Sequence, residues 1–201
     1  MNLKIERTAE TDFFKTEFLT REVFWNLYKP GCVEHLILHN LRQSGSYVPE
    51  LDLVAWCNGE IIGHIITTRA KVVDDSGRDH EVLCAGPFAV LRQDQGKGTG
   101  SLLMQFSISE AGKLGFKGII LFGNPEYYRR FGFRNAQAYG ITTEDGQNFD
   151  PFMALELYEH ALNGISGRFF HDRAFSVNEQ ALEAFEELFP YREKKKTETQ
   201  F

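Results

Sequence analysis

The sequence predicts an α/β protein built on one mixed central sheet flanked by helices, and three stretches carry that expectation. Asn58-Gly59 stands between LDLVAW and GHIITTRAKVV, the strongest short-range signal for an antiparallel hairpin. EVLCAGPFAVL, SLLMQFSISEAGKLG and FKGIILFG read as strand, helix and strand, the pattern of a parallel crossover. FKGIILFG is also continuously apolar, as suits a strand covered on both faces. Antiparallel pairing in the first half thus meets a crossover in the second, which excludes a sheet made only of repeated βαβ units.

The remaining elements follow in order. LKIER is a first strand. TDFFKTEFLTREVFW places Phe14, Phe18 and either Leu19 or the pair Val23 and Phe24 at helical spacing, which predicts an amphipathic helix. YKPG breaks it, and VEHLILHNLRQ forms a second helix. After the hairpin, DDSGRD turns the chain into EVLCAGPFAVL. NPEYYRRFGF reads as a short helix closing at Gly132, FMALELY as a strand, and a last helix starts near Asn178. ALNGISGRFF fits no single element. Residues 1–190 are expected to form a single domain, with 191–201, YREKKKTETQF, a polar tail that frays.

Composition narrows the function. With 42% hydrophobic residues over 201 positions the chain can bury a substantial core. Lys and Arg number 22 against 28 Asp and Glu, a net charge of -6. That balance disfavours nucleic-acid binding, which rests on neutralising phosphates. Three widely spaced cysteines with no CxxC read as free thiols of a reducing compartment. MNLKIERTAE has no signal-peptide core, and no apolar run approaches the ~20 residues of a membrane span. A cytoplasmic monomer or homodimer is expected, with no membrane partner.

The stretch VLRQDQGKGTGSLLM carries the chemistry, with Gly96, Gly98 and Gly100 at the entrance to a helix. The Walker A pattern GxxxxGK[ST] fails, because Leu91 occupies its first glycine and Gly98 follows Lys97 where Ser or Thr is required. The dinucleotide pattern GxGxxG fails at Ser101. Gln95-x-x-Gly98-x-Gly100 is left. At a helix N-terminus the first N–H groups lack intrahelical partners, and with the helix dipole they form an anion site that glycine lets a phosphate approach. Lys97 adds a positive charge there. Three glycines in so short a stretch lose more conformational entropy on folding than an ordinary turn requires.

GPFAVLRQDQGKGTGSLL followed by YYRRFGF resembles the two signature segments of the GNAT superfamily, the acyl-CoA-dependent N-acetyltransferases. The first is similar to its pyrophosphate segment Q/R-x-x-G-x-G/A, and the second to its Y-x-x-x-G-F segment at Tyr128, Gly132 and Phe133. The likeness is most specific over 83–133 and extends to the order of elements from about residue 3 to 135; ELYEHALNGISGRFF resembles a YhbS-like bacterial branch of predicted acetyltransferases. The resemblance implies the GNAT fold, with strands splayed at the coenzyme site. It implies acetyl transfer from acetyl-CoA, as co-substrate without a metal, to a primary amine of a small molecule or peptide by direct attack. Backbone amides of Gly96, Lys97, Gly98, Thr99, Gly100 and Ser101 would grip the coenzyme pyrophosphate. The main chain of Phe88, Ala89 and Val90 would bind the pantetheine arm as an added strand and supply an oxyanion donor, although their side chains read equally well as core. Tyr128 falls on the general-acid position, whereas Tyr127 reads as packing and Arg129 and Arg130 as exposed helix arginines within reach of coenzyme phosphates. Gly86-Pro87 suits a bulge or strand break.

Two departures stand out. The asparagine usual in many relatives, seven residues before the tyrosine, has no counterpart, and Asn124-Pro125-Glu126 reads as a helix cap. FKGIILFG lacks the glutamate base that some relatives carry, leaving Glu34, His35, Glu81, His171 or a water chain as bases. His35 and His39 stand at i, i+4 without a third ligand or HExxH, so no metal is expected. A non-catalytic acyl-CoA sensor and a transferase using a longer acyl-CoA are the alternatives. The acceptor is not written in any motif.

Overall fold

The computed structural model describes residues 3–198 and 200. The chain runs β1 (Leu3–Arg7), α1 (Phe13–Phe24), α2 (Glu34–Arg42), β2 (Asp52–Cys57), β3 (Glu60–Val73), β4 (Asp79–Val90), α3 (Thr99–Lys113), β5 (Gly118–Phe122) and α4 (Pro125–Tyr128). It continues through β6 (Arg134–Asn135), β7 (Ile141–Thr142), β8 (Phe152–Glu156), β9 (Gly167–Phe170) and α5 (Glu179–Glu186). Sheet order is β1-β2-β3-β4-β5-β8-β6, with β9 pairing β3 and β7. β4 and β5 are parallel, and the pairs from β1 to β4 are antiparallel, as the hairpin and crossover signals required.

The hairpin turn is of type I′, with φ of 51° at Asn58 and 86° at Gly59. Both values lie in the left-handed region that asparagine and glycine tolerate best. α3 covers one face of the sheet, burying Leu103, Met104 and Ala111 against Leu53, Ala55, Ile65 and Leu83. α1 and α2 cover the other face, with Leu19 and Val23 against Ala89 and with Leu38 and Leu41 against Ile66. Farther along that side, Ile141, Leu162, Ile165 and Phe169 pack on Val82, Cys84 and Ile120.

The buried face of α1 differs from the one its spacing predicts. Phe14 and Phe18 are 48% and 36% exposed, while Thr16, Glu17, Thr20 and Arg21 are buried beside Leu19 and Val23. Polar partners waiting beneath the helix make this possible. Arg42 donates to Asp52 Oδ2 at 2.8 Å and to Thr16 Oγ1 at 2.7 Å, and its guanidinium lies 3.5 Å from Glu17 Oε1. His64 Nε2 lies 2.7 Å from Asp52 Oδ1. Buried charge is tolerated when it is paired and hydrogen-bonded in this way. Phe14 and Phe18 stack instead on Phe189, at centroid distances of 5.0 and 6.3 Å.

The C-terminal segment, expected to fray, runs along α1. Arg21 donates to Glu186 Oε2 at 2.7 Å, Trp25 Nε1 to the Glu193 carbonyl at 3.1 Å, and Asn26 Oδ1 accepts from the Lys195 amide at 3.0 Å. Side chains that read as polar surface in the sequence find partners there.

Candidate active site

β4 and β5 pair only at Leu83 with Ile119 and Cys84 with Ile120. Past that point β4 runs on to Val90 and β5 to Phe122 without mutual pairing, so the two strands splay. A bulge marks the place. Thr67 and Ile65 of β3 stand opposite Ala85 and Phe88, leaving Gly86 and Pro87 of β4 facing one residue of β3. The extra residue reverses the alternation of side chains. Leu83 and Phe88 therefore both lie toward α3, and Ala89 faces α1.

The splay opens a cleft of about 910 Å³. One end is formed by Phe88, Val90, Gln95, Gly96, Gly98, Gly100 and Ser101, at the N-terminus of α3. Gly98 is the N-cap residue with φ of 92°, and no side chain caps this helix end. Its leading N–H groups are thus left for a ligand or solvent. Gln95 Nε2 donates to the Val90 carbonyl at 2.9 Å, tying the loop to the end of β4. Lys97 turns to Asp94 at 3.2 Å. Thr99 is buried with its hydroxyl unpartnered. Of the predicted coenzyme residues, Phe88, Val90, Gly96, Gly98, Gly100 and Ser101 thus line the cleft; Ala89, Lys97 and Thr99 do not.

Tyr128 stands in the middle. Asn124 caps α4 by accepting from the Glu126 amide at 2.9 Å, and Pro125 begins the helix, as the sequence indicates. The Tyr128 ring lies over Gly123, where a Cβ would collide with it, and packs edge-on against Phe133 at 5.7 Å. Burial, then the neighbouring Tyr127 and Tyr28, push its hydroxyl well above the ordinary tyrosine range. Tyr127, 5.1 Å from Tyr128 between centroids, reaches back to the glycine loop, its hydroxyl lying against Gly100. Arg130 lies 4.4 Å over the Tyr127 ring and lines the cleft, whereas Arg129 does not.

The far end is formed by Phe24, Tyr28, Glu34, Ile37, His171 and Phe175. Burial raises the Glu34 carboxyl above its usual value, against the lowering effect of backbone hydrogen bonds. One of those is the Val33 amide donating to Oε2 at 2.9 Å. Burial, and then Glu34, raises the Tyr28 hydroxyl above its usual value. Of the four predicted bases, Glu34 and His171 reach the cleft. Glu81 pairs with Arg69 on the outer surface at 3.4 Å. His35 is turned away and fully buried, 2.7 Å from Glu186, because α5 supplies a carboxylate on that side. Tyr28, Phe24, Ile37 and Phe175 were not singled out from the sequence, since nothing local distinguishes them from core or surface. Cys84 also lines the cleft, with its thiol pushed up to about 12 by burial. Among the described residues no group of three or more His, Cys, Asp or Glu side chains is placed to hold a metal ion.

A sheet splays beside a glycine-led helix, with a buried tyrosine across the opening. Residues 50–135 of the chain match the family model described as an acetyltransferase (GNAT) domain. In particular, the chain is 28% identical over 135 residues to the uncharacterized N-acetyltransferase YhbS of Escherichia coli K12, covering 67% of this chain and 78% of that one. The crystal structure of Escherichia coli YhbS in complex with CoA superposes with a TM-score of 0.77 at 24% identity, over 87% of this chain and 92% of that one. A GNAT family acetyltransferase from Brucella melitensis, in complex with acetyl-CoA, does so with a TM-score of 0.71 at 24% identity, over 87% and 99%. These likenesses establish the GNAT fold. Among the described residues no helix is long and apolar enough to cross a membrane.

Proposed function

We propose that this protein transfers an acetyl group from acetyl-CoA to a primary amine by direct attack, with residues 1–190 acting as one catalytic domain. The observation that carries the reading is the splay of β4 from β5 beside the uncapped N-terminus of α3. Beyond Cys84 the β5-facing edge of β4 has no strand partner. It suits an extended amide-containing arm laid down as an added strand, and the α3 end suits a pyrophosphate. The crystal structures of the two relatives, named with CoA and acetyl-CoA, support the same assignment.

The chain's groups then divide the work. Backbone amides of Gly96, Lys97, Gly98, Thr99, Gly100 and Ser101 hold the phosphates; side chains of Lys97 and Thr99 take no part. Main-chain groups of Phe88, Ala89 and Val90 hold the arm, and an N–H of this strand stabilises the oxyanion of the tetrahedral intermediate. The thioester supplies an activated acyl carbon. As the amine nitrogen bonds to it and the C–S bond breaks, Tyr128 donates its hydroxyl proton toward the departing sulfur. A tyrosine above ~10 and a thiol near ~8.5 make full transfer uphill, so the proton moves late. Cys84, the thiol in the cleft, is held protonated by burial and is a poor nucleophile, which favours direct attack over an acyl-enzyme.

Release of free thiol from acetyl-CoA, followed with a panel of primary amines, tests the reading. Amine-dependent release is expected. Binding without release under any amine would assign the protein to coenzyme sensing instead, and faster release from a longer acyl-CoA would reassign the donor.

A further inference from the structure

We infer that the acceptor is a monoamine carrying a flat apolar body, of the primary arylalkylamine class. The inference rests on the acetyl-transfer reading and concerns the cleft end away from the glycine loop. Glu34 is the one carboxylate among the described residues lining the cleft. Arg130, the cation there, is spent on the Tyr127 ring at 4.4 Å. A polyamine or aminoglycoside brings several ammonium groups into a partly desolvated site, and each needs its own acidic partner. This cleft supplies one.

The rest of that end is apolar and largely aromatic. Phe24 meets Tyr28 at 6.1 Å between centroids, and His171 meets Phe175 at 4.9 Å. Ile37 and Phe175 pack on the same α2 core. On the β5 side Phe122 is 46% exposed despite its size. Aromatic walls of this kind offer a flat body both area and ring-edge contacts.

Glu34, Tyr28 and Tyr128 line the same cleft, and the amine is placed among them. A nitrogen between these groups faces a carboxylate, an aromatic ring and the tyrosine that serves the sulfur. An ammonium is held there by Glu34 and by the Tyr28 ring face. Glu34 then takes its proton, for which burial has already raised the carboxyl. The freed amine attacks the acyl carbon, Glu34 passes the first proton to solvent, and the proton that the nitrogen sheds as the amide forms returns to Tyr128 in place of the one given to the sulfur. The Val33 amide donates to Oε2 and orients the carboxylate.

The experiment begins with calorimetric titration of acetyl-CoA, then compares kcat/KM for 2-phenylethylamine, n-butylamine and spermidine. 2-Phenylethylamine is expected to lead each of the others by about tenfold or more. Phe175→Ala should raise KM for 2-phenylethylamine and leave that for n-butylamine unchanged. Glu34→Gln should lower kcat by about a hundredfold, flatten the acid limb of the pH profile and keep acetyl-CoA affinity. If acetyl-CoA binds and spermidine or n-butylamine is the better acceptor, the inference falls alone; if acetyl-CoA binds and no amine is acetylated, the acetyl-transfer reading falls with it. If acetyl-CoA does not bind, it falls together with the acetyl-transfer reading. A Glu34→Gln variant with unaltered kcat and pH profile would leave Glu34 as a helix-end ligand only and overturn its role as base.

Discussion

The Tyr127 hydroxyl stands 2.7 Å from the point where a Cβ on Gly100 would lie. An alanine in the first turn of a helix normally stabilises it by about 1 kcal/mol relative to glycine. Here the close contact opposes that gain. Gly100→Ala is therefore expected to be neutral or destabilising in the wild-type background and less so in Tyr127→Phe, which lacks the hydroxyl but keeps Phe88 Cζ 3.3 Å from the same point. Urea denaturation of the four proteins checks it, and equal effects in both backgrounds would refute the coupling.

Gly98 holds φ at 92° with nothing within 4 Å of a Cβ position. Its requirement is conformational, so Gly98→Val should cost about 1–2 kcal/mol of stability. Because the same residue sets the α3 N-terminus, acetyl-CoA affinity should fall by at least about tenfold. Melting temperature and titration calorimetry read the two effects separately.

Tyr128→Phe keeps the ring over Gly123 and removes only the proton. It is expected to lower kcat by about a hundredfold and to leave acetyl-CoA affinity unchanged. The raised hydroxyl pKa carries a second expectation. An acid is lost above its pKa, so any alkaline limb due to Tyr128 lies above the ordinary tyrosine value of ~10. A steady-state pH profile that drops from Tyr128 ionisation below that value would contradict the assignment.

His35 is lowered to about 4, chiefly by burial, with Glu186 opposing and Arg21 reinforcing the shift. Between that value and the unfolded value of ~6.5, the unfolded chain binds a proton that the folded chain does not. Stability therefore rises with pH across this window and is fully present above it. The contribution is on the order of 3 kcal/mol. His64, lowered by complete burial, acts in the same direction, so His35→Gln should reduce the slope of stability against pH between 4 and 6.5 without abolishing it.

Burial works against ionisation of Asp52, but His64 and Arg42 outweigh it and hold the carboxyl well below its usual range. Asp52→Asn leaves the Arg42 charge, which is 3% exposed, with only the more distant Glu17 carboxylate at 3.5 Å. Removing one member of a buried pair costs about 3–5 kcal/mol. A loss below about 1 kcal/mol, as for a surface pair, would show that the network is not what joins α1 and α2 to the sheet.

Much of the central fold was legible because its signals are local. Asn58-Gly59 demanded left-handed backbone, FKGIILFG demanded a doubly covered strand, and Asn124-Pro125-Glu126 demanded a helix start; each formed as read. The buried face of α1 was not legible, because Glu17 and Arg21 become core only through Arg42 and Glu186, distant in sequence. For the same reason His35 looked open to an acceptor, and the carboxylate that claims it lies on α5. At the candidate site the glycine loop and Tyr128 announced themselves by spacing. Tyr28, Phe24 and Phe175 did not, since an acceptor wall is assembled from separate elements with no motif of its own.

The central claim is that the cleft between β4 and β5 is a coenzyme site. Isothermal titration of the wild-type protein with acetyl-CoA tests it most directly. One saturable site, weakened by Gly98→Val and unaffected by Tyr128→Phe, is expected. Absence of binding to acetyl-CoA and to longer acyl-CoA thioesters alike would contradict it.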